Sequence, residues 1–266
     1  MTVNAKELSI IDALSKRIVE AQKNLRILDC IKWDDAVRDE FFRQGAREMP
    51  PVDAQYYRQH PLPFDSVQKM DEFRSIIRDA ENQLGQYAAV SRLIKRQCQE
   101  YVNAVRMLDA RGTALFSELS TELYGSPDDV FYAGGPKLSL MGTVLFDLLT
   151  QLDGELQSDA DIKKYTPEDA RSKLQTALSH YFDKHCDAVT VIVSDGMIAD
   201  ASAGADRIRL SQDAMFSERE LRYLEVHEGW VHVGTTLNGA MQPYCSFLSK
   251  GSPSTSVLQE GLAVLT

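Results

Sequence analysis

The chain has 266 residues, enough for one large domain or two modest ones. Its net charge of -10 argues against a nucleic-acid partner, whose phosphates call for a basic face, and 44% hydrophobic with 26% charged residues is ordinary globular composition. No apolar run reaches the length of a bilayer span, and "MTVNAKELSIIDALSKRIVEAQ" has no basic segment leading into an apolar one, so neither a membrane partner nor a secretory signal is expected and the setting is read as cytoplasmic.

In chain order, Leu8, Ile11, Leu14, Ile18, Ala21 and Leu25 recur at three and four, predicting an amphipathic helix over about 5–28. "KWDDAVRDEFFRQGAREM" reads as a second helix, and the four prolines of "PPVDAQYYRQHPLPF" as an extended connection. Two longer helices follow, 66–92 with a break near Gly85, and 93–109. A short helix in "GTALFSELSTELYG" is closed by Gly125. "LSLMGTVLFDLLTQL" is another helix, and "TPEDARSKLQTALSHYFDKH" begins with Thr166 as N-cap, Pro167 at N1 and Asp169 at N3.

The texture then changes. "AVTVIVS" is β-branched and apolar, a buried strand, and "MIADASAGADRIRLS" folds back around 203–206 as a hairpin. Ser217 and Glu220 form an S-x-x-E capping box that starts the helix "SERELRYLEVHEGWVH". "STSVLQEGLAVLT" is a last helix, capped around 254–256. It stops at Thr266 inside an apolar run, with no capping glycine or polar tail, which reads as a truncated or cleaved chain. The fold class is therefore α+β, predominantly helical, with a small mixed or antiparallel sheet before the helix that carries the histidines. The expected organisation is a helical region over 1–165 and a second region over 166–266, packed as one unit. Cys30, Cys98, Cys186 and Cys245 are dispersed, without a C-x-x-C pair, and read as reduced thiols.

The chemistry concentrates in "HEGWVH". His227 and His232 stand five apart, which an ideal α-helix separates by roughly 140°. One residue absorbed as a π-bulge brings the imidazoles together, and Gly229 inside the interval lowers the cost of that distortion. Glu228 then occupies the position of a general base, and Glu260, on the following helix, can supply a third zinc ligand, with Gly261 letting the two helices approach. The competing account is a pair of unrelated core histidines.

"HEGWVH" followed by "GSPSTSVLQEGLAVLT" resembles the QEGLA-motif proteins, bacterial members of which are labelled flavohaemoglobin expression-modulating. Their superfamily includes the microtubule-associated tyrosine carboxypeptidases, with a matching His-Glu-x-x-x-His helix and Glu-Gly-Leu-Ala element. The similarity extends over "GTALFSELSTELYGSPDD" and "DGMIADASAGADRIRL". The resemblance implies a zincin-like metallopeptidase core over 166–266, His227, His232 and Glu260 as zinc ligands, and Glu228 as the catalytic glutamate. Gln259 is neutral and suits a hydrogen bond to a ligand better than ligation.

The function that follows is a zinc-dependent carboxypeptidase acting on the C-terminus of a peptide or protein. Tyr223, His180, His185 and Tyr244 are the residue types near the site able to donate to a developing oxyanion. Arg207 and Arg209, on one face of the strand "DRIRLS", are candidates for the substrate carboxylate, and that strand for an edge that pairs with extended substrate. The alternatives are a non-enzymatic regulatory or scaffold protein, with a structural metal or none, and an aminopeptidase or dipeptidase on the same scaffold.

Overall fold

The structure, a computed structural model, describes residues 4–156, 158–182, 189–197, 199–204 and 207–266, without the side chains of 153–156. The chain forms two compact units: Met1–Gly125 with Ser252–Ser254, and Ser126–Gly251 with Thr255–Thr266.

The first unit is helical throughout. Its elements are α1 (Ala5–Ala21), α2 (Ile27–Ile31), α3 (Asp35–Arg43), α4 (Ala54–Gln59), α5 (Ser66–Leu84), α6 (Ala89–Asp109) and α7 (Ala114–Tyr124). Its core is the α5–α6 pair, where Phe73 stacks on Tyr101 at 5.1 Å and Ile76, Ile94, Met107 and Leu108 are fully enclosed.

Three boundaries differ from the periodicity reading. The first helix ends at Ala21 because Asn24 takes a left-handed conformation, φ 64°, which asparagine tolerates and other side chains resist. Leu25 still enters the core, so the apolar rhythm outlives the helix. In the proline-rich connection, Asp53 accepts a hydrogen bond from Tyr56 N and starts the short α4. The break near Gly85, at φ 85°, separates helices that end at Leu84 and resume at Ala89. Asp34, exposed, caps α3 by accepting from Val37 N.

The second unit contains α8 (Leu138–Leu156), α9 (Pro167–Tyr181), β1 (Thr190–Ser194), β2 (Ala201–Ala203), β3 (Arg207–Ser211), α10 (Glu218–Leu224), a π-helical segment (Glu225–Val233), α11 (Gly234–Ala240) and, from Thr255 onward, α12 (Pro253–Leu265), whose first two residues belong to the first unit. The capping box on Thr166 with Asp169 forms as read. The last helix begins at Pro253, a residue ahead of the expected cap.

The sheet is mixed, in the order β1-β3-β2: β3 is parallel to β1 and antiparallel to β2. One of its faces, bearing Val191, Ile208 and Leu210, packs on Leu174 and Leu178 of α9 and on Leu221, Leu224, Val233 and Leu237 of the histidine-bearing helix. Burying such aliphatic side chains contributes about 1.5–3 kcal/mol each, which anchors that helix to the sheet. Two polar ties fix α9. Gln175 donates to Val189 O at 2.7 Å and accepts from Val191 N at 2.8 Å. Tyr165 pairs with Phe216 through backbone hydrogen bonds and donates its hydroxyl to Glu218 at 2.6 Å.

Among the described residues no helix is long and apolar enough to cross a membrane. Cys30, Cys98 and Cys245 are free, and Cys186 lies outside the described residues.

Candidate metal centre

Ser217 starts the helix: its hydroxyl accepts from Glu220 N at 3.1 Å, and the Glu220 carboxylate accepts from Ser217 N at 2.8 Å. After Leu224 the hydrogen-bonding register lengthens, and Glu225–Val233 is π-helical before α-helix resumes at Gly234. With i→i+5 bonding the turn widens to about 4.4 residues, so positions five apart differ by roughly 50° instead of the roughly 140° of an α-helix. The distortion inferred from the histidine spacing is thus present, and longer than a single bulge.

The imidazole rings of His227 and His232 lie 5.0 Å apart between centroids. Glu260 of α12 faces both: its Oε2 is 3.9 Å from His227 Nε2 and its Oε1 is 3.6 Å from His232 Nε2. One ligand atom from each of the three lies within 4.8 Å of the others. Both histidine side chains are mostly buried, while that of Glu260 is 64% exposed, so the cluster opens to solvent on the carboxylate side.

Three observations bear on whether a divalent cation fits. First, a tetrahedral zinc bound at about 2.0–2.2 Å spaces its donors by roughly 3.3–3.6 Å, close to the observed gaps. Second, those gaps are too long for direct hydrogen bonds. Third, His232 Nδ1 lies 3.2 Å from Gln259 Oε1. An amide oxygen only accepts, so Nδ1 carries the proton of that contact, and in the neutral ring Nε2 then turns a lone pair toward Glu260. A cation in the space between that lone pair and the carboxylate oxygen would be bound by both. The donor set fits zinc.

His227 is held differently. Its Nδ1 is buried with no hydrogen-bond partner, and the ring of Tyr223 lies 4.8 Å away, tilted by 40°. Glu228, partly buried beside it, has a side chain that forms no hydrogen bond or ion pair among the described residues.

Gly229 serves packing as well as backbone freedom. A Cβ there would overlap Leu178 Cδ2, and Leu178 is fully buried. The missing side chain therefore lets the π segment seat against α9. Gly261 does not play the part expected of it: a Cβ there would meet nothing within 4 Å, so α12 requires no glycine for close approach.

The arginine expectation is also corrected. Ile208 and Leu210 are fully buried on the face that carries the histidine-bearing helix, so strand alternation turns Arg207 and Arg209, both exposed, to the opposite face. The structure does not bring them to the histidine–glutamate cluster. Nor is β3 an edge, since β1 and β2 occupy both of its sides.

Among the described residues the open edge belongs to β2, which packs against the π segment. Ser211 N donates to Asp200 O and Gly204 N to Arg207 O, so the hydrogen-bonded pairs fall at even positions along β2. Ala201 and Ala203 therefore direct their N–H and C=O groups away from β3. The other outer edge, on β1, is partly closed by Gln175. Sequence reading placed the hairpin correctly but had no signal for the parallel β1–β3 pairing, which decides which strand is free.

Of the expected oxyanion donors, Tyr223 is the one whose ring the structure places against a member of the cluster; His180 contacts Tyr181 instead, and His185 lies outside the described residues. Trp230, inside the interval, is part-exposed and packs on Tyr181 at 4.4 Å and Phe182 at 5.7 Å.

A sequence profile described as microtubule-associated tyrosine carboxypeptidase matches residues 39–266. No curated protein and no solved structure is matched.

Proposed function

The chain belongs to the microtubule-associated tyrosine carboxypeptidase family, and from that premise we propose that it is a zinc-dependent metallopeptidase that removes C-terminal residues from a peptide or protein. The observation that carries the proposal is the convergence of His227, His232 and Glu260, with one ligand atom from each within 4.8 Å of the others and the carboxylate 3.6 and 3.9 Å from the two imidazoles, close to the spacing around a tetrahedral ion. These three residues would hold the metal, within a zincin-like catalytic region over 166–266. Zinc bound there supplies Lewis acidity toward the scissile carbonyl.

The chain's own residues do the rest. Glu228 follows His227 directly, and with no partner to neutralise it, its carboxylate takes a proton from the attacking water and hands it to the departing amine. Gln259, by accepting from His232 Nδ1, fixes the tautomer that leaves Nε2 available. The substrate's extended backbone pairs with the outward groups of Ala201 and Ala203, on the open strand beside the π segment. Tyr223, half-exposed at the ring of His227, donates to the charge that develops on the carbonyl oxygen.

The test combines metal analysis with one variant. Purified protein should contain about one zinc per chain. Glu228→Gln should keep the metal and lose about 10²- to 10⁴-fold in peptide cleavage. Peptides with free C-termini should be cleaved and amidated ones spared. Activity unchanged in Glu228→Gln, or metal-free protein with full activity, would refute the assignment.

A further inference from the structure

A second built site lies wholly within the first unit, at the C-terminal end of α6. Arg111 is 9% exposed. Its Nε donates to Leu108 O at 2.8 Å, Nη1 to Cys30 O and Nη2 to His60 O at 3.1 Å, and its guanidinium carbon sits 4.7 Å over the Tyr57 ring. Every one of these partners is a neutral carbonyl or a ring. Buried charges are normally matched by an opposite charge, and no carboxylate pairs with Arg111 among the described residues. These bonds use three of its five N–H groups, leaving one on each Nη.

The surroundings are rigid. Tyr57 donates its hydroxyl to Ile31 O at 2.9 Å. Gly112, at φ 75°, lets the start of α4 lie against it, where any Cβ would collide with the backbone of Asp53 and Ala54. The guanidinium, the ring and the carbonyls are therefore held in place by backbone contacts from three separate stretches of chain.

A cavity of about 450 Å³ opens beside Arg111 and is also lined by Lys32, Arg26, His60, Tyr57 and Asp29. The Lys32 side chain forms no ion pair or hydrogen bond among the described residues. Arg26 meets Asp29 only at 3.6 Å, with both side chains largely exposed. Burial pushes the Cys30 thiol up, so it adds no negative charge to the wall. Three cations thus face one carboxylate, in a chain whose net charge is -10. The volume is within the range of small-molecule sites.

We propose that this cavity binds a small anionic ligand, a phosphate- or carboxylate-bearing molecule whose charged group docks on the Arg111 fork beside Tyr57, with Lys32 and Arg26 at the rim. A planar guanidinium suits both anions in bidentate fashion. The two chemistries are separated by the probes.

The experiment is calorimetric titration of the full chain with inorganic phosphate and, separately, citrate, with chloride at matched ionic strength as control. Saturable binding of about one equivalent is expected for at least one probe. Phosphate alone points to a phosphorylated ligand, citrate alone to a polycarboxylate, and both to the shared anion chemistry. Lys32→Ala should weaken binding about tenfold, roughly one charge-assisted contact, and Arg111→Met should abolish it. Since Arg111 also ties three carbonyls together, the exposed Arg26→Ala and Lys32→Ala serve as variants that do not challenge folding. No saturable binding of either probe, or binding that all three variants leave unchanged, overturns the proposal.

Discussion

Two helices of this chain solve opposite problems. α6 is regular over 21 residues, and ten of them are buried, from Ser91 to Leu108. Its business is packing, and the 3.6-residue repeat serves that well. The helix that starts at Glu218 is also anchored by aliphatic side chains, Leu221, Leu224, Val233 and Leu237, but between the two pairs it abandons the α repeat. The π segment gives up regular hydrogen bonding in order to aim two imidazoles at one point. The contrast teaches that the irregular turn is held by regular packing at both ends. On the proposed reading it is a functional distortion built on a rigid base, as such sites require.

The sharpest way to break that contrast is to remove an imidazole. His232→Ala should leave the fold of the second unit intact, because Val233 and Leu237 rather than His232 anchor the helix, yet zinc content and peptide cleavage should fall to background. Zinc retention by His232→Ala, read by elemental analysis, would mean that the distortion serves something other than a metal.

A smaller effect is expected from Gln259→Ala. The variant leaves His232 Nδ1 without its acceptor, and losing such an orienting partner typically costs 10- to 100-fold in metal affinity. Competition with a chelator of known affinity reads this directly. Glu at the same position should restore affinity, since a carboxylate accepts from Nδ1 at least as well.

Glycine substitutions then separate packing from backbone freedom. Gly229→Ala drives a methyl group into Leu178 and should destabilise the chain by about 1–3 kcal/mol, the usual cost of overpacking, with Leu178→Val recovering part of it. Gly261→Ala has open space in the middle of α12 and should stabilise by roughly 0.5–1 kcal/mol, the helix-propensity gain alone. Urea denaturation of both variants tests whether one glycine is required and the other incidental.

Much of this was legible in the residues. The capping boxes at Thr166 and Ser217 are local hydrogen-bond patterns, and they formed as read. The spacing of His227 and His232 announced a π distortion because no α-helix reconciles five residues with one ion. What could not be read depended on contacts distant in sequence. The parallel pairing of β1 with β3 moved the free edge to β2, and the packing of the histidine-bearing helix on Ile208 and Leu210 left Arg207 and Arg209 on the far face. Leu178, from α9, explains Gly229, and nothing local to "HEGWVH" points to it. Gly261 shows the reverse error, a meaning given to a glycine from its neighbour in sequence when its surroundings are empty. Arg111 was passed over for a similar reason: its partners are carbonyls from residues 30, 60 and 108, which carry no sequence pattern.

The mildest test returns to α6, whose regular face carries one group with a task beyond packing. Glu100 accepts from Ser252 Oγ at 2.6 Å, from Ser254 N at 3.0 Å and from Ser254 Oγ at 2.8 Å, and so caps the start of α12. Burial pushes its carboxyl up, but the hydrogen bonds from Ser252 and Ser254, with Arg96 beside them, outweigh burial and hold it below the usual value of 4.5. A carboxyl with a lowered folded value contributes stability that is fully present above the ordinary value and is lost as pH falls through the lowered one. Glu100→Gln removes that contribution, so the variant should melt below the parent near neutral pH, and the gap between them should narrow as pH falls below the ordinary carboxyl value. Glutamine retains one acceptor oxygen, so the loss near neutrality should be modest, about 1–2 kcal/mol. Melting curves across that range decide it: a gap that stays constant with pH would mean the carboxylate's charge contributes nothing to the cap.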